Sequence, residues 1–243
     1  MKTALDKQFV FPCGEPHLQV KISQSYSTEW EFTGAQSILE LMLYGDAVTR
    51  IGSMIGTLTI PYVPFGRQDR VNTQGEPLSI AVMAKIINDL HAERVVITDP
   101  HSDVTPALIN NCVVIPQHEV FKRYFPLTGK VILISPDGGA LKKIYHLAKL
   151  TGLDVIECSK KRNVKTGEII GTTVPVDDLT GLTCVIVDDI CDGGHTFVGL
   201  SKVLWAHKAR KVILMVTHGF FTKGLQVFDG LIDEIYTRKG RVK

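Results

Sequence analysis

The 243-residue sequence predicts an α/β protein with mainly parallel sheets, and three observations carry that prediction. Short β-branched runs alternate with amphipathic helical stretches. The runs are apolar along their length, as strands covered on both faces require. Several lead straight into polar, turn-forming segments, the junctions where open parallel sheets gather their ligands.

Along the chain, Leu78, Val82, Ile86 and Leu90 recur every four residues after Pro77 and mark one face of a helix. RVVIT at 94–98 is the first buried strand, and VILI at 131–134 the next. Leu141, Ile144 and Ala148 define a second helical face that stops before Gly152. Residues 154–157, CVIV at 184–187 and VILMV at 212–216 complete the strands. An apolar strand meets an acidic turn twice, in VVITDPHSD (95–103) and CVIVDDICDGGHT (184–196), with a third junction at VILISPDGG (131–139). That repetition divides the chain into two related halves, 1–122 and 123–243.

Composition narrows the class. With 44% hydrophobic residues the chain has material for a substantial core. The 27 basic and 25 acidic residues nearly cancel, so no whole-protein field draws in nucleic acid or a membrane surface, and any anion site is local. Five cysteines, at 13, 112, 158, 184 and 191, make neither a CxxC pair nor a zinc-finger spacing. No apolar run approaches the roughly 20 residues of a membrane span, and the N-terminus lacks the core of a signal peptide. The expectation is a reducing, cytoplasmic setting.

CVIVDDICDGGHTF is the most informative segment. Gly193 and Gly194 let the backbone form a concave nest, the amides of a following helix converge on a phosphate, and Thr196 adds a hydroxyl donor. Asp188, Asp189 and Asp192 would repel a phosphate, so they suit sugar hydroxyls or a cation held by them. An acidic turn that merely caps a helix accounts for the same residues.

This segment resembles the phosphoribosyl-diphosphate motif of type I phosphoribosyltransferases and ribose-phosphate pyrophosphokinases. Other segments are similar to the pyrophosphokinases in particular. PYVPFGRQDR (61–70) resembles their ATP segment, which implies nucleotide roles for Arg67, Gln68 and Asp69, with Arg70 following. TDPHS (98–102) resembles their Asp-x-His strand end, with Pro100 in place of leucine, and implies ATP and metal roles for His101 and Asp99. ISPDGGALKK resembles their Ser-Pro-Asp-x-Gly-Gly segment and brings Asp137 to the ribose phosphate and to Mg²⁺. CSKKRNVKTGEI resembles their mobile catalytic loop, whose Lys-x-Arg pair is matched by Lys160 and Arg162. FPCGEPHLQV (11–20) resembles the segment that reaches a neighbouring subunit's adenine site, implying roles for Phe11 and Glu15 and at least a homodimer.

The resemblance covers about residues 8–236, with the motifs in the family's order. It implies two phosphoribosyltransferase-type, Rossmann-like halves with the active site between them, and Mg²⁺-dependent transfer of pyrophosphate from ATP to ribose 5-phosphate. The chain departs from the family in starting almost at the Phe-Pro-x-Gly-Glu segment and ending soon after Ile235, which leaves subunit contacts and allosteric sites open. It departs also in the phosphate loop, where His195 stands in place of a small residue. Two alternatives follow: the same chemistry on a larger ribose 5-phosphate bearer such as ADP-ribose, or a non-catalytic regulatory homologue, against which the retention of Lys160 and Arg162 speaks.

Overall fold

A strand buried on both faces must find apolar partners above and below it, and the chain supplies them with helices on either side of two parallel sheets. The computed structural model describes residues 5–23, 26–125, 127–162 and 169–243, with the backbone described for 160–162 and 169–170. It divides into two compact units, Met1–Pro116 and Gln117–Lys243.

The first unit runs β1 (Leu5–Val10), β2 (Pro16–Val20), β3 (Tyr26–Glu29), α1 (Ala35–Arg50), β4 (Ile55–Ile60), α2 (Ser79–Asn88), β5 (Arg94–Thr98), α3 (Val104–Leu108) and β6 (Cys112–Ile115). β1 and β2 form an antiparallel hairpin, and β3-β4-β5-β6 form a sheet paired in parallel throughout. Ser37, Leu41, Tyr44 and Val48 are buried along one stripe of α1, and Ile80, Met83 and Ile87 along α2. They share one core with Leu58, Ile60, Val95 and Ile97 of the sheet, where each large apolar side chain contributes about 1.5–3 kcal/mol by leaving water. α1 and β4 had no clear period in the sequence, because Leu39 and Met42 on α1 are exposed and β4 interleaves glycine and threonine with its apolar residues.

The second unit runs α4 (Gln117–Phe121), β7 (Val131–Ser135), α5 (Leu141–Thr151), β8 (Val155–Glu157), β9 (Ser159–Arg162), β10 (Ile169–Thr173), β11 (Thr183–Cys191), α6 (His195–Ala206), β12 (Lys211–Gly219), β13 (Glu234–Thr237) and β14 (Gly240–Arg241). Its sheet has the order β14-β13-β12-β11-β7-β8, parallel except for the β13–β14 pair. Alternation along β11 explains the unbroken CVIV run: Cys184 and Ile186 join the core packed by Leu200 and Leu204 of α6, while Val185 and Val187 join the core packed by Ile144 and Leu147 of α5. α4 goes with this unit because Val120 and Phe121 lie in the latter core, so the units divide at Pro116 rather than at residue 122.

β11 is longer than its apolar run suggests. It continues through Asp188, Asp189, Ile190 and Cys191, with Asp188 paired to Val216 and Cys191 to Gly219 of β12. The two adjacent aspartates are therefore strand residues rather than loop residues. Hydropathy marks a strand by what it buries, whereas this extension is held by backbone pairing to a neighbour. Among the described residues no helix is long and apolar enough to cross a membrane.

Burial also sets the cysteine chemistry. Burial pushes the thiol of Cys158 up to about 12, with nearby Cys184 adding to it. It pushes Cys184 up to about 11 and, helped by Asp188 and Asp192, Cys191 up to about 12. Iodoacetamide at pH 8 is expected to label exposed Cys13 well before these three, and urea to open all five; fast native labelling of Cys184 by mass spectrometry would contradict the packing. Because the folded thiols hold their protons more tightly than an ordinary exposed thiol, which titrates at 9.0, their stabilisation is intact below pH 9 and lost as pH rises towards 11–12.

Candidate active site

In each unit motif residues follow the carboxyl ends of parallel strands, whereas Phe11 and Glu15 sit on the antiparallel β1–β2 hairpin and Lys160 and Arg162 on the antiparallel β9–β10 pair. In the first unit, β4 ends at Ile60 and the chain turns through Phe65, which has φ 64°, and Gly66, where an added Cβ would stand 3.2 Å from the Val63 carbonyl oxygen. This turn delivers Arg67 and Gln68 to the surface. Gln68 is tied to the start of α2: its side-chain oxygen accepts from Ser79 Oγ at 2.6 Å and its carbonyl accepts from the Ile80 amide at 3.3 Å.

Asp69 turns inward. Its side chain is only 5% exposed, and one oxygen accepts from Arg70 Nε at 3.0 Å. That bond holds its carboxyl below the usual carboxylate range against the opposing cost of burial, and Ser102 and His101 lower it further. RQDR and TDPHS, some thirty residues apart in sequence, thus share one electrostatic cluster. Asp99 closes β5, buried, with φ 43° and its amide donating to the Ile115 carbonyl at 2.8 Å. A left-handed aspartate at that junction re-aims the chain that carries the exposed His101.

Phe11 and Glu15 lie at the turn of the β1–β2 hairpin, where the Phe11 amide donates to the Glu15 carbonyl at 2.8 Å. Phe11, 43% exposed, forms an aromatic cluster with Phe9 and His17, at ring separations of 4.8 and 6.0 Å. Such rings offer a base a stacking face.

In the second unit, β7 and β11 lie side by side and their ends bring together Asp137, Asp188 and Asp189. One oxygen of Asp137 accepts the Gly139 amide at 2.9 Å, and Asp188 accepts the Asp189 amide at 2.9 Å. Desolvation, then the nearby charges of Asp189 and Asp137, push the Asp188 carboxyl well above the ordinary carboxylate range. Lys143 on α5 reaches Asp189, Nζ to Oδ2, at 3.3 Å.

The glycine turn follows directly. Gly194 caps α6 with φ 82°, and a Cβ there would come within 2.5 Å of the Phe228 ring, so only glycine fits both the dihedral and the space. The first turn of α6, beginning at His195 and Thr196, directs its amides into this turn. Asp192 is turned aside, accepting from Thr222 Oγ1 at 2.8 Å, and Lys223 Nζ stands 3.3 Å from His195 Nε2.

Lys160 and Arg162 were expected on a loop; their backbone lies in β9, paired with Thr172 and Ile169 of β10. The tip of that hairpin, 163–168, is outside the described residues. Lys143, Thr222 and Lys223 escaped sequence reading. The second lysine of PDGGALKK and the polar turn after the VILMV strand were the available signals.

A metal site is less defined. Among the described residues no group of three or more His, Cys, Asp or Glu is arranged to hold an ion. Oxygen donors such as Asp137 match the preference of a magnesium ion, which keeps most of its waters and phosphate oxygens, better than the nitrogen of His101 does.

The chain is similar to known proteins over most of its length. Residues 154–238 match the phosphoribosyl synthetase-associated domain. The chain is 30% identical over 238 residues to the ribose-phosphate pyrophosphokinase of Pyrococcus furiosus, covering 93% of this chain and 82% of that protein. It is 31% identical over 232 residues to the enzyme of the same name from Thermococcus kodakarensis, covering 93% and 81%. The phosphoribosylpyrophosphate synthetase structure from Mycobacterium smegmatis superposes with a TM-score of 0.81 at 24% identity, over 95% of this chain and 78% of that one, which establishes the fold.

The raised Asp188 has a stability consequence. A carboxyl that titrates higher folded than unfolded stabilises the fold at low pH and loses that contribution as pH rises through its raised value. At pH 7 it is a net cost. Asp188→Asn, whose amide oxygen can still accept the Asp189 amide, is expected to raise Tm at pH 7 by about 2–4 °C per kcal/mol relieved, and the gain to shrink towards pH 4. Calorimetry showing a lower Tm at pH 7 would contradict this.

Proposed function

Because the chain belongs to the ribose-phosphate pyrophosphokinase family, we propose that it transfers the β,γ-diphosphate of ATP to the anomeric hydroxyl of ribose 5-phosphate. The observation that carries this reading is the junction of β11 with α6, where carboxylates and a glycine-built amide nest stand side by side. That combination suits a sugar phosphate: amides and Thr196 take the 5-phosphate, Asp188 and Asp189 take ring hydroxyls.

The first unit supplies the nucleotide contacts. Arg67 pairs with the polyphosphate, Gln68 presents its side-chain NH₂, and His101 adds a donor beside the phosphates. Phe11 and Glu15 serve the adenine of a second copy, which makes the working enzyme at least a homodimer. Asp137 would hold Mg²⁺, which neutralises the polyphosphate charge when bound.

The anomeric oxygen attacks the β-phosphorus in line. Its bond to phosphorus forms as the bond from the β-phosphorus to the α,β-bridging oxygen breaks, AMP leaves with that electron pair, and the hydroxyl proton passes to solvent. Such transfers demand positioning and charge stabilisation more than covalent help, which is the role given to Lys160 and Arg162.

Purified protein with ATP, Mg²⁺ and ribose 5-phosphate is expected to yield AMP and the ribosyl diphosphate by mass spectrometry, and to stop in excess chelator. Lys160→Ala or Arg162→Ala is expected to lower kcat about a hundredfold or more with Tm unchanged. An effect on KM alone would remove the assigned role.

One observation favours a larger acceptor. Lys223 puts a second basic side chain against His195, at the rim of the turn assigned to the 5-phosphate, more basic character than a terminal phosphate needs. A second phosphate attached beyond the first, as in ADP-ribose, would use both. In a competition assay the wild type is then expected to prefer ADP-ribose, and Lys223→Ala to shift the preference about tenfold towards ribose 5-phosphate. Formation of ribosyl diphosphate alone in that competition would dismiss the larger acceptor.

A further inference from the structure

The second unit holds one side chain that the reaction above leaves without a role, Lys143. Three carboxylates, Asp137, Asp188 and Asp189, gather at the ends of two neighbouring strands, and the charges of the first and third both bear on Asp188. Like charges so close together repel one another, and a cation placed beside them relieves the repulsion. Lys143 supplies one. Its Nζ lies 3.3 Å from Asp189 Oδ2, with side chains 23% and 9% exposed respectively, so the contact is partly shielded from water.

Strand geometry explains why the lysine serves this aspartate. Successive residues of β11 face opposite sides of the sheet, and Asp189 follows the parity of Val185 and Val187, whose side is packed by α5. Lys143 stands in the first turn of α5, immediately after the tight turn Gly138–Ala140 that holds Asp137. A cation at a helix N-terminus opposes the helix dipole, a local cost that the ion pair has to offset.

Resting on the proposed assignment of Asp189 to a ring hydroxyl, we infer that Lys143 is a positioning residue for the acceptor: it holds Asp189 oriented to accept that hydroxyl. It touches no reacting atom. Its removal takes this cation away from a buried carboxylate and loosens its orientation, so acceptor binding suffers while nucleotide binding does not.

The test uses the full chain with Lys143→Met, Lys143→Arg, Asp189→Asn and the double variant Lys143→Met/Asp189→Asn. Titration calorimetry with ribose 5-phosphate and steady-state kinetics are read together with Tm. Lys143→Met is expected to weaken ribose 5-phosphate binding, and to lower kcat/KM for it, about tenfold or more, with KM for ATP within about twofold. Lys143→Arg should restore most of the loss, and the double variant should be no worse than Asp189→Asn alone.

Unchanged acceptor binding in Lys143→Met overturns the inference. So does equal loss for both substrates, or losses that add in the double variant. If Lys143→Met fails to fold, the arginine variant decides: full acceptor affinity supports the positioning role, and a folded protein with lost affinity opposes it. A wild type that binds ribose 5-phosphate in a Lys143-dependent way yet releases no AMP with any acceptor refutes the proposed reaction and leaves this inference standing.

Discussion

The second unit depends on the parallel pairing of β11 between β7 and β12. That pairing is what carries β11 past its CVIV run and holds two adjacent carboxylates on a strand. A strand locked on both sides cannot slip by a residue without exchanging its two faces, which would carry Val185 and Val187 into the wrong core. The positions of Asp188 and Asp189 are thus over-determined by burial that lies several residues earlier in the chain. The glycine turn and α6 follow from the same anchor, since Gly194 must clear the Phe228 ring to start the helix.

Electrostatics at this strand end works against the fold. Desolvation and two neighbouring carboxylates raise Asp188, while the partly buried Lys143 stands against Asp189. Such crowding is tolerable because the surrounding sheet has two well-packed faces, and a ligand that offers hydroxyls or a cation relieves it on binding. The first unit shows the milder arrangement: Asp69 is satisfied internally by Arg70, which leaves Arg67 and Gln68 on the outer side of the same turn.

Much of this was legible in the residues. Runs such as RVVIT and CVIV declare strands covered twice, because only such strands can be apolar at consecutive positions. The stop of α5 at Gly152, with φ 70°, was equally legible, since glycine adopts that conformation without strain. Less legible were α1 and β4, whose exposed Leu39 and Met42 and interleaved threonines blur any period, and the continuation of β11 through four residues that hydropathy assigns to a turn.

The sequence by itself determined the fold class, the junctions where polar residues meet strand ends, and through its motifs the family. Each of these rests on local chemistry: side-chain burial, glycine dihedrals and helix termini act over a few residues. Tertiary structure alone decided that Asp69 shares a cluster with His101 and Ser102, that Lys143 pairs with Asp189, and that Lys223 stands against His195. Those partners are 28 to 46 residues apart in the two bonded pairs, and nothing in a linear spacing encodes them. They meet because parallel strands must be joined by crossovers, and a crossover returns a distant residue to the same edge of the sheet.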